Sequence, residues 1–142
     1  MYKEIILEAL KKVVTENGYM VGDCNRDIHE QSLSHRLAHY LENSGHFSGY
    51  NIDCEYNRFE ERSKRNSQND LIKPDIVIHS RGNQNDNLII IQTKKFNDSA
   101  DEIENAKTDL KNDKGHLNYK FAFLIIFPEK MDCNFEDIIF EY

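Results

Sequence analysis

The sequence predicts an α/β sandwich, a small mixed sheet with helices packed against it. Three observations carry that reading. Stretches with apolar residues three and four apart occur near the N-terminus, after residue 27 and around residue 100. Among them lie short runs rich in Ile, Val and Phe, at 75–80, 88–95 and 120–127. A helix stands between the last two runs, the pattern of a parallel crossover unit, right-handed by the usual rule.

The elements follow in order. Residues 3–16 carry Ile6, Ala9, Leu10 and Val13 on one stripe, widened by Ile5, Leu7 and Val14, with Asn17-Gly18 as a C-cap. A second helix starts at Asp27, whose side chain and Glu30 form a capping box. Leu33, Leu37 and Leu41 then recur every four residues, until Gly45 to Gly49 break the pattern. Residues 50–58 read as a strand, and the polar, aperiodic 59–73 as a loop. Pro74 opens a strand over 75–80. A turn over 81–87 leads into a strand over 88–95 whose apolar start implies burial on both faces. The third helix spans 99–112, with Ile103, Ala106 and Leu110 inward and Glu102, Glu104, Lys107 and Lys111 outward. Residues 120–127 are the most apolar segment, a central strand that Pro128 ends. Ile138-Ile139-Phe140 suits an edge strand or a short helix. The organisation is one domain: N-terminal helix 3–16, a core of about 27–127, and an acidic tail over 128–142.

Composition narrows the function. The chain has 142 residues, enough for one real core without disulfide or metal staples. Its 18 Lys+Arg against 25 Asp+Glu give a net charge of -7, which argues against gripping nucleic acid by bulk charge. The acid is concentrated in the tail. The stretch 56–73 is mildly positive, with Arg58, Arg62, Lys64, Arg65 and Lys73 against Glu60, Glu61 and Asp70. A solvated loop is the plain reading of those bases; a nucleic-acid contact through Arg58, Arg62, Lys64, Arg65 and Lys95 is the functional one. No apolar run is long enough to span a membrane, and the first turns lack the features of a secretory signal. Cys24, Cys54 and Cys133 are odd in number and widely spaced, as expected of reduced thiols in a cytoplasmic protein. His35 and His39 share a helix face but lack the Glu of a His-Glu-x-x-His zinc motif.

The residues with chemical potential fall at the strand ends. Period two puts Asp75, Val77 and His79 on one face of their strand, and Gln92 and Lys94 with Ile90 on one face of the next. Glu30 lies on the apolar stripe of its helix, three residues before Leu33 and seven before Leu37. An acid pair, an amide and a Lys at one edge of a sheet suit phosphodiester hydrolysis. Oxygen ligands hold a hard cation, the cation acidifies a water, and the ammonium stabilises developing charge. Glu55 and His79 are candidate supporting groups. Each residue also has a plainer role: Glu30 as a helix cap, Asp75 as a turn residue, Glu55 paired with Arg58 across a ladder, Lys94-Lys95 as a solvated strand end.

Pro74-Asp75, then 16 residues, then Gln92-Thr93-Lys94 behind an apolar run resembles the PD-(D/E)XK nuclease superfamily, with its restriction-endonuclease-like fold. Glu30 matches that family's additional helical carboxylate. The αβββαβ order matches its core over about 100 of the 142 residues. The resemblance implies a nuclease that uses Mg²⁺ or Mn²⁺ on DNA, with RNA also open, and a homodimer where two strands are cut. It implies Glu30, Asp75 and Gln92 as metal ligands, with Lys94 completing the catalytic set. Gln92 stands where Asp or Glu is usual, similar to the Gln-x-Lys form of Mrr-type enzymes. The competing expectation is a catalytically decayed module of the same fold that binds nucleic acid or protein.

Overall fold

A computed structural model describes residues 1–16, 30–56, 58–59, 62–63, 74–128 and 134–142. The protein is α/β, with three helices and a five-stranded mixed sheet. Its helices are α1 (Tyr2–Glu16), α2 (Glu30–Asn43) and α3 (Ala100–His116). The sheet contains β1 (Asn51–Cys54), β4 (Ile76–Ser80), β5 (Asn83–Lys95), β6 (Phe121–Phe127) and β7 (Ile139–Glu141), in the spatial order β1-β4-β5-β6-β7. Between β1 and β4 in the chain, β2 (Arg58–Phe59) and β3 (Arg62–Ser63) form a separate two-stranded ribbon. β5 and β6 are parallel and joined through α3; every other pairing in the sheet is antiparallel.

Alternation along the strands makes two cores. Ile76, Ile78, Ile89, Ile91, Phe123 and Ile125 point to one face, where they pack with Ile6, Leu10 and Val13 of α1 and Leu33, Leu37 and Leu41 of α2. Val77, Ile90, Ala122 and Leu124 point to the other, against Ala106 and Leu110 of α3. The result is three layers, helix on sheet on helix. Each fully buried Ile or Leu in them contributes about 1.5–3 kcal/mol relative to exposure.

Several boundaries differ from the sequence reading, each for a local reason. The strand expected over 50–58 stops at Cys54, because Glu55 adopts φ 52, a left-handed conformation that ends the ladder. The ribbon β2–β3 takes Arg58 from the end of that expected strand and Phe59, Arg62 and Ser63 from what reads as loop. The turn expected over 81–87 is only Arg81-Gly82. Gly82 supplies φ 77, and β5 begins at Asn83, paired with Ser80. Helix α3 continues past Asn112 to His116, and it starts one residue later than expected, at Ala100, because Ser99 is its N-cap, with Glu102 closing a capping box. The tail provides both expected alternatives in succession, a 3₁₀ turn over Phe135–Ile138 and then the edge strand β7. The Asp27 capping box and the Asn17-Gly18 cap lie outside the described residues.

Candidate functional site

The site forms where the C-terminal end of β5 passes the start of β4 and the first turn of α2. Thr93 is the point of contact. Its side chain is fully buried, and it lies on the helix-α2 face of β5, opposite to Gln92 and Lys94. The carboxylate of Asp75 accepts from the Thr93 backbone N–H at 2.8 Å and from its hydroxyl at 3.1 Å. The Glu30 carboxylate lies 3.3 Å from the same hydroxyl. Ser34, one turn further along α2, shares a 2.7 Å hydrogen bond with Thr93 and donates to the Glu30 carbonyl at 3.1 Å. Two acids far apart in the chain thus meet on one hydroxyl. Neither Thr93 nor Ser34 is among the residues the sequence reading selects. The available signal is a single hydroxyl within the apolar face of Ile89 and Ile91.

The pair is electrostatically tense. Burial, and then repulsion from Asp75, push the Glu30 carboxyl up to about 7, while nearby Lys94 pulls the other way and Asp98 adds to the rise. Burial also raises Asp75, opposed by the two Thr93 hydrogen bonds and by Lys94. Asp98 is held at the end of β5, where it accepts from the Lys95 backbone N–H at 2.8 Å. Glu30 therefore lies in the field of two further carboxylates, Asp75 and Asp98, with Lys94 opposing them.

Gln92 and Lys94 approach from the other side of the sheet. They line a cleft of about 390 Å³ between β5 and α3, together with Pro74 and Ile90. Ladder pairing runs Ile76 to Ile91, so one step further sets Asp75 level with Gln92. The expected set is thus split by the thickness of one strand: Glu30 and Asp75 meet on the α2 face, and Gln92 and Lys94 open onto the α3 face. Lys94 acts on both carboxylates from there.

The supporting candidates separate. Glu55 is exposed beside the pair. It accepts from Gln31, the neighbour of Glu30, at 2.6 Å, and its backbone N–H donates to the Asp75 carbonyl at 3.1 Å. His79 is 2 % exposed and lies four residues along β4, about 13 Å from Asp75 at strand spacing. Its Nε2 is 2.9 Å from Asp53 of β1, and its ring meets Tyr56 edge-on. Arg81 also clasps Asp53, and these donors hold the Asp53 carboxyl below its usual range, the Arg81 bond most of all. His79 therefore ties β4 to β1, away from the acid pair. Cys54 is half-buried, and burial lifts its thiol to about 11, which keeps it protonated and unreactive. The side chains of Arg58, Arg62, Lys64 and Arg65 lie outside the described residues, while Lys95 is partly exposed at the end of β5.

Among the described residues no group of three or more His, Cys, Asp or Glu side chains is placed to hold a metal ion. The oxygen set on the α2 face is narrower, two carboxylates and the Thr93 hydroxyl, and the Gln92 amide faces the α3 cleft. Compared with family models, curated proteins and solved structures, the chain matches none.

Proposed function

We propose that the end of β5 is the active site of a metal-dependent nuclease with a restriction-endonuclease-like core. One observation carries the reading. Glu30 and Asp75, brought from different elements onto the Thr93 hydroxyl, form a partly buried acid pair within the field of Lys94. Such a pair repels itself, and a hard cation relieves that repulsion. Two carboxylates, with water filling the remaining positions, is an ordinary set for Mg²⁺. The strand order β1-β4-β5-β6, with α2 ahead of it and α3 between β5 and β6, agrees with the αβββαβ core that the motif implies.

Glu30 and Asp75 would hold Mg²⁺ or Mn²⁺, with water at the remaining positions, while the Gln92 amide that the motif implies as a third ligand opens onto the α3 face. The ion supplies an acidified water and neutralises charge on the phosphate. Thr93 fixes the direction of the Asp75 carboxylate through two hydrogen bonds, so the ligand needs little reorganisation. Lys94 stabilises the extra negative charge of the phosphorane, and as a donor it orients the attacking water. The substrate is DNA, its backbone reaching Lys94 past the partly exposed Lys95 at the end of β5. A homodimer sets two such sites against two strands.

The test is a plasmid-nicking assay with Mg²⁺ and with Mn²⁺. Wild type nicks, whereas Asp75→Ala and Lys94→Ala lose at least 100-fold in rate, on the scale of removing one electrostatic partner. Cleavage that survives both substitutions overturns the assignment. Calorimetry with Mg²⁺ checks the ligands, and Glu30→Gln weakens the heat signal.

A second reading rests on Gln92. Its amide replaces an anionic ligand, and it opens onto the α3 cleft instead of the carboxylate pair. A decayed module of the same fold, acting as a nucleic-acid or protein interaction subunit, predicts no metal binding up to millimolar Mg²⁺ and no rescue by Gln92→Glu.

A further inference from the structure

The cleft beside Lys94 extends along α3, beyond anything the phosphodiester chemistry uses. Its volume of about 390 Å³ lies within the span typical of small-ligand sites, about 300–1,000 Å³. Its floor is apolar, made by Ile90 of β5 with Ala106 and Leu110 of α3. Above the floor stands a row of hydrogen-bond acceptors. Glu102, Asn105 and Asp109 follow one another at intervals of three and four along α3, so they share one side of the helix. The carboxylates of Glu102 and Asp109 repel a phosphate, which confines a nucleic-acid backbone to the Lys94 edge. The same groups accept from N–H donors, and a flat apolar floor suits the face of a heterocycle.

A phosphodiester seated at Lys94 carries a base on its sugar, and the cleft is the space next to it. A base can enter only if it is unpaired, because a paired base keeps its Watson–Crick edge occupied and its faces stacked. Resting on the nuclease reading, we infer that this cleft is a base-recognition subsite that takes one unpaired nucleobase of a single-stranded substrate. Guanine fits best, since its N1–H and exocyclic amino group offer two adjacent donors to one carboxylate. The preferred substrate is therefore single-stranded nucleic acid, or a duplex that opens beside the cut, as a negatively supercoiled plasmid does locally.

The experiment measures binding and cleavage separately on the full chain. Binding is read by fluorescence anisotropy in EDTA, with labelled 15-nucleotide strands: oligo(dT), the same strand with one central dG, and the latter annealed to its complement. The expected result is about tenfold tighter binding of the dG strand than of either other probe, the size of one good bidentate base contact. Asp109→Asn and Asn105→Ala, both exposed, should reduce that preference to about twofold or less while the oligo(dT) affinity holds. Equal affinity for the three probes overturns the inference. So does a dG preference unmoved in both variants, or competition by spermidine but not by guanosine monophosphate, which assigns the cleft to cationic ligands. Cleavage in Mn²⁺ is scored independently. A wild type that cuts without base or strand preference removes the subsite and leaves the nuclease. A base preference without any cutting removes the nuclease and leaves the subsite as a binding site.

Discussion

A buried hydroxyl is tolerated in an apolar layer only when its hydrogen-bonding capacity is met, and at Thr93 three side chains meet it. Asp75, Glu30 and Ser34 all converge there. The residue thus does two jobs: it closes the core above Ile91 and it holds the acid pair. Thr93→Val keeps the shape and removes the hydroxyl, leaving Ser34 and two carboxylates short of a partner. It should lower stability by about 1–3 kcal/mol, read by urea unfolding, while Thr93→Ser retains most of it. An unchanged unfolding midpoint in Thr93→Val would show that the network contributes nothing. Asp75, Gln92 and Lys94 are legible as a spaced set because their residue types match a chemistry. Thr93 is not, since in Gln-x-Lys the middle position looks like a spacer. Only the pairing of β5 with α2 gives it a role. His79 shows the converse case: its polar character suggests a site, and its burial against Asp53 turns it to strand pairing.

At the scale of elements, α3 is the most informative. Its start is written in local chemistry: the Ser99 hydroxyl accepts from the Glu102 N–H at 3.1 Å, and the Glu102 carboxylate lies 3.4 Å from the Ser99 N–H. Ser99→Ala should cost about 1 kcal/mol of stability. Its end is not local. Gly115 ordinarily weakens a helix, yet α3 runs through it to His116, after which the chain buries Leu117 and Tyr119. A Cβ at Gly115 meets nothing within 4 Å, and its φ is not left-handed, so Gly115→Ala should add about 0.5–1 kcal/mol. Thermal unfolding of the two variants checks both signs, and a destabilised Gly115→Ala contradicts the helical geometry. β5 carries the same lesson. Its half from Asn83 to Asn87 is polar and has no apolar alternation, so it reads as a turn. The ladder with β4 supplies the hydrogen bonds that make it a strand, across register shifts at Ile78 and His79.

For the whole molecule, the net charge of -7 is less telling than where the acids sit. Burial raises Glu30 to about 7, and burial with Asp109 alongside raises Asp113 to about 6. A carboxyl raised in the folded state binds its proton more tightly than in the unfolded chain. The stability it contributes is complete below the unfolded values near 4, and is lost as pH rises through 6 and 7. The melting temperature should therefore fall between pH 5 and pH 8. Glu30→Gln should flatten that slope and stabilise the protein at pH 8 by about 1 kcal/mol, a discounted figure for a half-solvated group. A melting temperature that climbs over this range would contradict the assignment. Asp53 works with the opposite sign, since its lowered carboxyl withdraws stability only under acid conditions. By itself, the sequence determined the α/β class, the order of the three helices and the four main strands of the sheet, and which residue types stand at the strand ends, because periodicity, caps and turn residues are local properties. Only the tertiary structure decided which of those groups meet. A side chain's face at a strand end depends on pairing and on the helix laid over it, and that sets Glu30 and Asp75 together on Thr93 while Gln92 and Lys94 open onto α3.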